Sequence, residues 1–153
     1  MRILTFILII KLLLLSSCGY KVINNTYDYK FEIVKTQFTG NSKVNRKIEN
    51  YFLRLKKKND TTRFFEIKTN SQLIKKVTSK NTLGEEASFS IKIIVLLEVF
   101  ENNENITKST FEKTVSYNNL NSKFELKQYE NILTEDIVDQ IILDISTYLS
   151  SIK

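Results

Sequence analysis

Any chemistry in this chain has to come from a short inventory. The 153 residues include a single cysteine, Cys18, no histidine, and only three glycines, Gly19, Gly40 and Gly84. Without histidine there is no side chain whose ordinary pKa lies near neutrality, and no Ser-His or Cys-His nucleophile pair. One cysteine cannot build a zinc cluster, an iron–sulfur centre or an internal disulfide. Glycines so far apart form no glycine-rich loop to cradle a phosphate. Carboxylates remain: Glu85-Glu86, Glu98, Glu101 and Glu135-Asp136. Two carboxyls working as acid and base or nucleophile need about 5 Å or about 9 Å between them, and the apolar pattern places no two of these on a common inward face. They read as solvated charge or helix-capping groups. The expectation is a non-enzyme, with no catalytic residues, no metal site and no cofactor.

The cysteine stands in a specific context. Met1 to Ser17 carries one early positive residue, Arg2, then the apolar stretch Ile3 to Leu15 broken only by Thr5 and Lys11, then small residues. Thirteen residues fall short of the roughly twenty a membrane-spanning helix needs, and the layout is that of a secretory signal. Leu15-Ser16-Ser17-Cys18 resembles the lipobox of bacterial lipoproteins. That resemblance implies cleavage between Ser17 and Cys18 and acylation of Cys18 as the first mature residue. Acyl chains contribute about 0.8 kcal/mol per buried methylene, so two or three of them hold a protein on a membrane essentially permanently. The chain then divides into a signal peptide, residues 1–17, a lipidated N-terminus and polar tether, 18–28, and one domain, 29–153. Gly19 occupies the position where enterobacterial lipoproteins retained at the inner membrane usually carry Asp, which favours the periplasmic side of the outer membrane.

Composition agrees with one globular domain, at 42% hydrophobic and 26% charged. The formal charge of +6 falls to +4 once Arg2 and Lys11 leave with the signal. The 19 lysines accompany 15 asparagines and 19 isoleucines, the mark of an A/T-rich gene. The basic pI of about 9.3 is then weak reason to expect a nucleic-acid partner, and none is expected.

The elements that position these residues follow from periodicity. The alternation Tyr29, Phe31, Ile33 predicts a first strand ending near Gly40, although Val34 and Phe38 fall on its other face. Asn41 or Ser42 can cap a helix whose Val44, Ile48, Tyr51, Phe52 and Leu55 share a face, opposite Lys43, Arg46, Lys47 and Arg54. Lys56-Lys57-Lys58 suits the dipole at that helix's end. A second strand spans Phe64 to about Val77. The third is the clearest: Ala87, Phe89, Ile91, Ile93, Val95, Leu97 and Val99 occupy alternate positions, and its other face mixes Ser88, Ser90, Lys92 and Glu98 with Ile94, Leu96 and Phe100. After a turn at 102–105, Ile106 to Tyr117 returns. Ser122-Lys123-Phe124-Glu125 reads as a capping box opening one long helix to the end of the chain, with a kink at Thr134-Glu135-Asp136 as an alternative. The expectation is an α+β fold, two helices packed on one face of a mostly antiparallel four-stranded sheet in the order β-α-β-β-β-α.

A lipobox, Cys18-Gly19-Tyr20, this order of elements in about 130 residues, and Ser116-Tyr117-Asn118-Asn119 running into Phe124-Glu125-Leu126 together resemble the LPS-assembly lipoprotein family, LptE. The resemblance covers nearly all of the mature chain and departs from better-known members in having no proline after the cysteine. It implies a plug that sits inside the outer-membrane β-barrel LptD, helps that barrel assemble, and contacts lipopolysaccharide. On that implication Ile94, Leu96 and Phe100 are candidate barrel-facing residues, since they are unusually apolar for open water. Lys75, Lys76 and Lys80, with Lys43, Arg46 and Lys47, are candidate contacts to lipopolysaccharide phosphates. A periplasmic lipid-binding or carrier lipoprotein is the alternative and would need an apolar cavity. The aromatic set Phe31, Phe52, Phe65, Phe89 and Phe111 is better suited to filling a core.

Overall fold

The computed structural model describes residues 31–55 and 63–152. Tyr29, the segment around Cys18 and the lysine run 56–58 lie outside those residues. The elements are β1 (Phe31–Gly40), α1 (Ser42–Leu53), β2 (Arg63–Lys80), β3 (Glu86–Glu101), β4 (Glu104–Asn118) and α2 (Lys123–Ser151). The four strands form one sheet in the order β1-β2-β3-β4. β1 runs parallel to β2, and the other two pairings are antiparallel. The parallel pair follows from chain order: α1 carries the chain back across the sheet, as a crossover between parallel neighbours must. The sheet is thus mixed, with the expected antiparallel majority.

The irregular start of β1 has a local cause. Pairing with β2 shifts register between Ile33 and Lys35, a bulge at Val34. One extra residue flips the alternation, so Phe38 returns to the face of Phe31. Phe31 stacks on Phe65 at 4.5 Å between centroids, and Phe38 on Phe52 of α1 at 6.3 Å. Both aromatics therefore serve the same core.

At the other end of β1 the chain must turn sharply. Gly40 has φ of +92°, and a Cβ there would lie 2.0 Å from the carbonyl oxygen of Ser71. Asn41 caps α1, its side chain accepting from the Val44 amide at 3.1 Å. A small polar cluster seals this corner: Ser71 Oγ meets Asn45 Oδ1 at 2.6 Å, Asn45 Nδ2 donates to the Thr39 carbonyl at 3.0 Å, and the Asn41 amide donates to the Ser71 carbonyl at 3.0 Å.

Both helices cover one face of the sheet. Val44, Ile48 and Phe52 of α1, and Ile137, Val138, Ile141, Ile145 and Leu149 of α2, close over Phe65, Ile67 and the inward residues of β3. Helix α2 is 29 residues, about 43 Å. It is uninterrupted at Thr134, whose hydroxyl donates to the Glu130 carbonyl at 2.7 Å. Ser122 caps it by accepting from the Glu125 amide at 3.3 Å. Its buried residues begin only at Thr134. The preceding three turns run alongside the far end of the β2–β3–β4 sheet and leave Phe124 70% and Ile132 57% exposed. Among the described residues, no helix is long and apolar enough to cross a membrane.

Candidate functional site

Three regions carry the side chains that could meet a partner: the uncovered sheet face, the α1–α2 surface, and the end of the sheet beside the first turns of α2.

On the uncovered face, the alternation of β3 puts Ile94, Leu96 and Phe100 together with Lys92 and Glu98, all half-buried although among the described residues no helix covers them. Charged neighbours screen them. Lys68 of β2 holds its ammonium 4.3 Å from the centre of the Phe100 ring, a cation–π contact. Lys108 pairs with Glu98 at 2.8 Å, Lys92 with Glu112 at 2.8 Å, and Lys35 with Glu66 at 3.4 Å. Leu96 and Glu98 also line a shallow depression of about 270 Å³ with Gln37, Thr39, Lys68 and Asn70. At the strand ends Arg63 grips Glu101 in a two-pronged pair, Nε to Oε1 at 2.8 Å and Nη2 to Oε2 at 2.7 Å. This hydrogen bonding raises the Arg63 pKa and holds the Glu101 carboxyl below its ordinary range.

The six basic candidates divide sharply. Lys47 donates to Asp139 at 2.8 Å and to the Glu135 carbonyl at 2.9 Å, and Lys43 donates to Asn131 at 2.9 Å with Glu135 at 3.8 Å. These two lysines fasten α1 to α2 and flank a groove of about 200 Å³ that also touches Arg46. Lys75 lies on the helix-facing side of β2, paired with Glu130 and 4.4 Å above the Phe89 ring. Lys76 points the opposite way, as the alternation of the strand requires, and Lys80 sits at the β2–β3 turn opposite Glu86. Among the described residues Arg46, Lys76 and Lys80 are the candidates with no ion pair; the other three are already engaged inside the molecule.

Four of the six candidate acids are similarly committed. Glu85 accepts from Asn81 at 2.9 Å, while Glu98, Glu101 and Glu135 pair with Lys108, Arg63 and Lys43. Among the described residues no group of three acidic or thiol side chains converges as a metal site would.

One cluster escaped the sequence reading. Tyr117 donates its phenol to Glu130 at 2.8 Å, the same carboxylate that holds Lys75, and Tyr117 stacks with Phe89 at 5.5 Å and meets the edge of Tyr129 at 6.1 Å. Burial first, and the Glu130 carboxylate second, push the Tyr117 pKa well above a normal phenol. The signal was available in Lys75, which shares the inward parity of Leu73 and Val77; a lysine in that register needs an acid across the layer. Nearby, at the tip of the β2–β3 turn, Leu83 is 82% exposed.

With this geometry in place, comparison with known proteins bears on the fold. No protein-family model matches the chain, and no curated protein matches it. Solved structures do match. An uncharacterized lipoprotein B from Nitrosomonas europaea is 17% identical, with 87% of this chain and 94% of that one covered and a TM-score of 0.58. The chain shares the fold of lipoprotein B. The rare lipoprotein B of Shewanella oneidensis superposes over 74% of this chain and 95% of its own, at 13% identity and a TM-score of 0.53. A minor lipoprotein from Acinetobacter baumannii does so over 76% and 90%, at 14% identity and 0.55. Identities this low speak for the fold alone, and that fold is the one the resemblance to LptE led to expect.

Proposed function

We propose that this chain is a non-catalytic lipoprotein, anchored through Cys18 on the periplasmic side of the outer membrane, that assembles with and plugs an LptD-type β-barrel for lipopolysaccharide insertion. The fold shared with two lipoprotein B structures and a minor lipoprotein, over nine-tenths or more of those proteins' length, carries the reading, and the lipobox leader supports the anchor. The uncovered face of the sheet supports it too. Ile94, Leu96 and Phe100 lie among side chains of which Lys35, Glu66, Lys92, Glu98, Lys108 and Glu112 are already paired within the chain, which lowers the cost of desolvating this surface against a partner. Of the six basic candidates, Arg46, Lys76 and Lys80 are the ones left to meet lipid phosphates as point charges. A carrier role would want an apolar cavity, whereas the aromatic set fills the core and both grooves described above are lined largely by polar and charged side chains.

The test is a mild-detergent purification of the full-length, C-terminally tagged protein from its own outer membrane, followed by mass spectrometry of what remains bound. A large barrel in roughly equal amount is the expected result. Recovery alone, or with lipid and no barrel, overturns the reading. A Cys18→Ala variant should stay soluble in the periplasm; persistence in the membrane fraction would refute the anchor.

A further inference from the structure

Among the described residues the sheet has two open edges, and they differ. β1 is 10 residues long and broken by the bulge at Val34, a common device for blunting an edge. β4 is 15 residues long, and its only irregularity in pairing falls at Ile106, near its start. From Thr107 onward it presents a regular row of backbone donors and acceptors, and among the described residues nothing pairs with its outer side. It lacks proline, and two of its charges, of opposite sign, flank Thr110 symmetrically on the uncovered face: Lys108 two residues before and Glu112 two residues after.

We propose that β4 is a self-association edge, pairing antiparallel with β4 of a second copy of this chain about a two-fold axis at Thr110. In this register Thr110 faces Thr110 of the second copy, Lys108 faces its Glu112, and Glu112 faces its Lys108. The pairs inside each sheet extend the pattern. Glu98 and Lys108 are directly opposed and 2.8 Å apart, and Lys92 reaches Glu112 diagonally at 2.8 Å, so the ion-paired path across the joined sheet runs Glu98, Lys108, the second copy's Glu112 and, one position aside, its Lys92, alternating in sign. On the helix-facing side Ser109 meets the second copy's Phe111, and Thr107 its Lys113. Centring on Ser109 or Phe111 also keeps the faces matched, but sets Lys108 or Glu112 against Thr110 and loses both cross-copy ion pairs, and the next registers out are disfavoured electrostatically. Centring on Lys108 opposes lysine to lysine, and centring on Glu112 opposes glutamate to glutamate, each destabilising in directly opposed positions. Lys108 and Glu112 are both 56% exposed in the side chain, and a regular free edge is the feature by which strands add to one another. The pairing belongs to the free chain and does not rest on the barrel reading.

Full-length Thr110→Cys protein, purified in detergent free of any barrel and treated with a copper–phenanthroline oxidant that accepts the two electrons, tests the register. Opposed residues lie about 4.5 to 5.5 Å apart between Cα atoms, within disulfide reach, so a dimer band on a non-reducing gel is expected. Thr114→Cys, whose two copies would lie eight positions or about 26 Å apart, should give none, and the wild-type chain controls for Cys18. Dimer from neither variant, or equal yield from both, overturns the proposal. Charge exchange gives a second readout. Adding Lys108→Glu or Glu112→Lys to the Thr110→Cys chain should lower the yield of cross-linked dimer at least tenfold, and co-expression of the two double variants should restore the band through a heterodimer. Failure of the mixture to recover would also refute the register.

Discussion

β3 presents two faces built from the same 16 residues, and they are held by different physics. Ile91, Ile93, Val95, Leu97 and Val99 are sealed beneath α1 and α2. The residues between them, from Lys92 to Phe100, are only partly buried and rely on cross-strand ion pairs and a lysine over a ring. One face is stabilised by apolar burial, at about 25 cal/mol per Å² removed from water. The other gains little from its charges, because exposed pairs contribute up to about 1 kcal/mol each. The strand therefore has one sealed face and one provisional face, the second held by weak pairs rather than by burial.

Replacing an aromatic on each face is the strongest way to break this contrast. Phe65→Ala, within the sealed core, should cost about 3–5 kcal/mol in urea unfolding, while Phe100→Ala on the provisional face should cost about 1 kcal/mol. Equal costs would mean that the uncovered face is a second core. Gly40→Ala comes next. Positive φ and the approach to the Ser71 carbonyl together should destabilise by more than about 1 kcal/mol, and a shifted α1 would loosen the sealed face selectively in hydrogen exchange.

Tyr117→Phe leaves Glu130 to Lys75 alone and should cost about 1–2 kcal/mol, fraying the first turns of α2 rather than the core. The same phenol has a pH signature. Its folded pKa is raised, so its contribution is fully present below the ordinary tyrosine range near 10 and fades as pH climbs beyond it. An absorbance titration should show one tyrosine resisting ionisation until the fold is lost.

Glu98→Gln should cost less than about 1 kcal/mol, and raising salt to about 1 M should shrink that further. Glu101 carries an acid signature of its own. Its folded pKa is depressed, so its contribution is present above the ordinary carboxylate range and is lost as pH falls through the lower folded value; Glu101→Gln should flatten that part of the acid-unfolding curve.

Most of the fold was legible because its signals are local. Seven alternating apolar residues in β3, the Asn41 and Ser122 caps and the three-to-four spacing of α1 and α2 are properties of adjacent residues, and each element formed where its pattern stands. β1 was harder. Its blurred register was a true signal, but only pairing with β2 could show that a bulge at Val34 carries Phe38 back to the core. The candidate lysines show the limit most clearly. Lys43, Lys47 and Lys75 look like Lys76 and Lys80 in sequence, and what separates them is Asp139, Glu135 and Glu130, residues 55 to 92 positions away.

The sequence by itself determined the elements, their order, the layer the helices cover and the inventory of possible chemistry, because periodicity, capping and composition act over a few residues. The tertiary structure decided the parallel placement of β1, which charges are spent inside the molecule, and that β4 leaves an uninterrupted edge. Those outcomes depend on which distant segments meet, and chain entropy and packing settle that only when the whole domain closes.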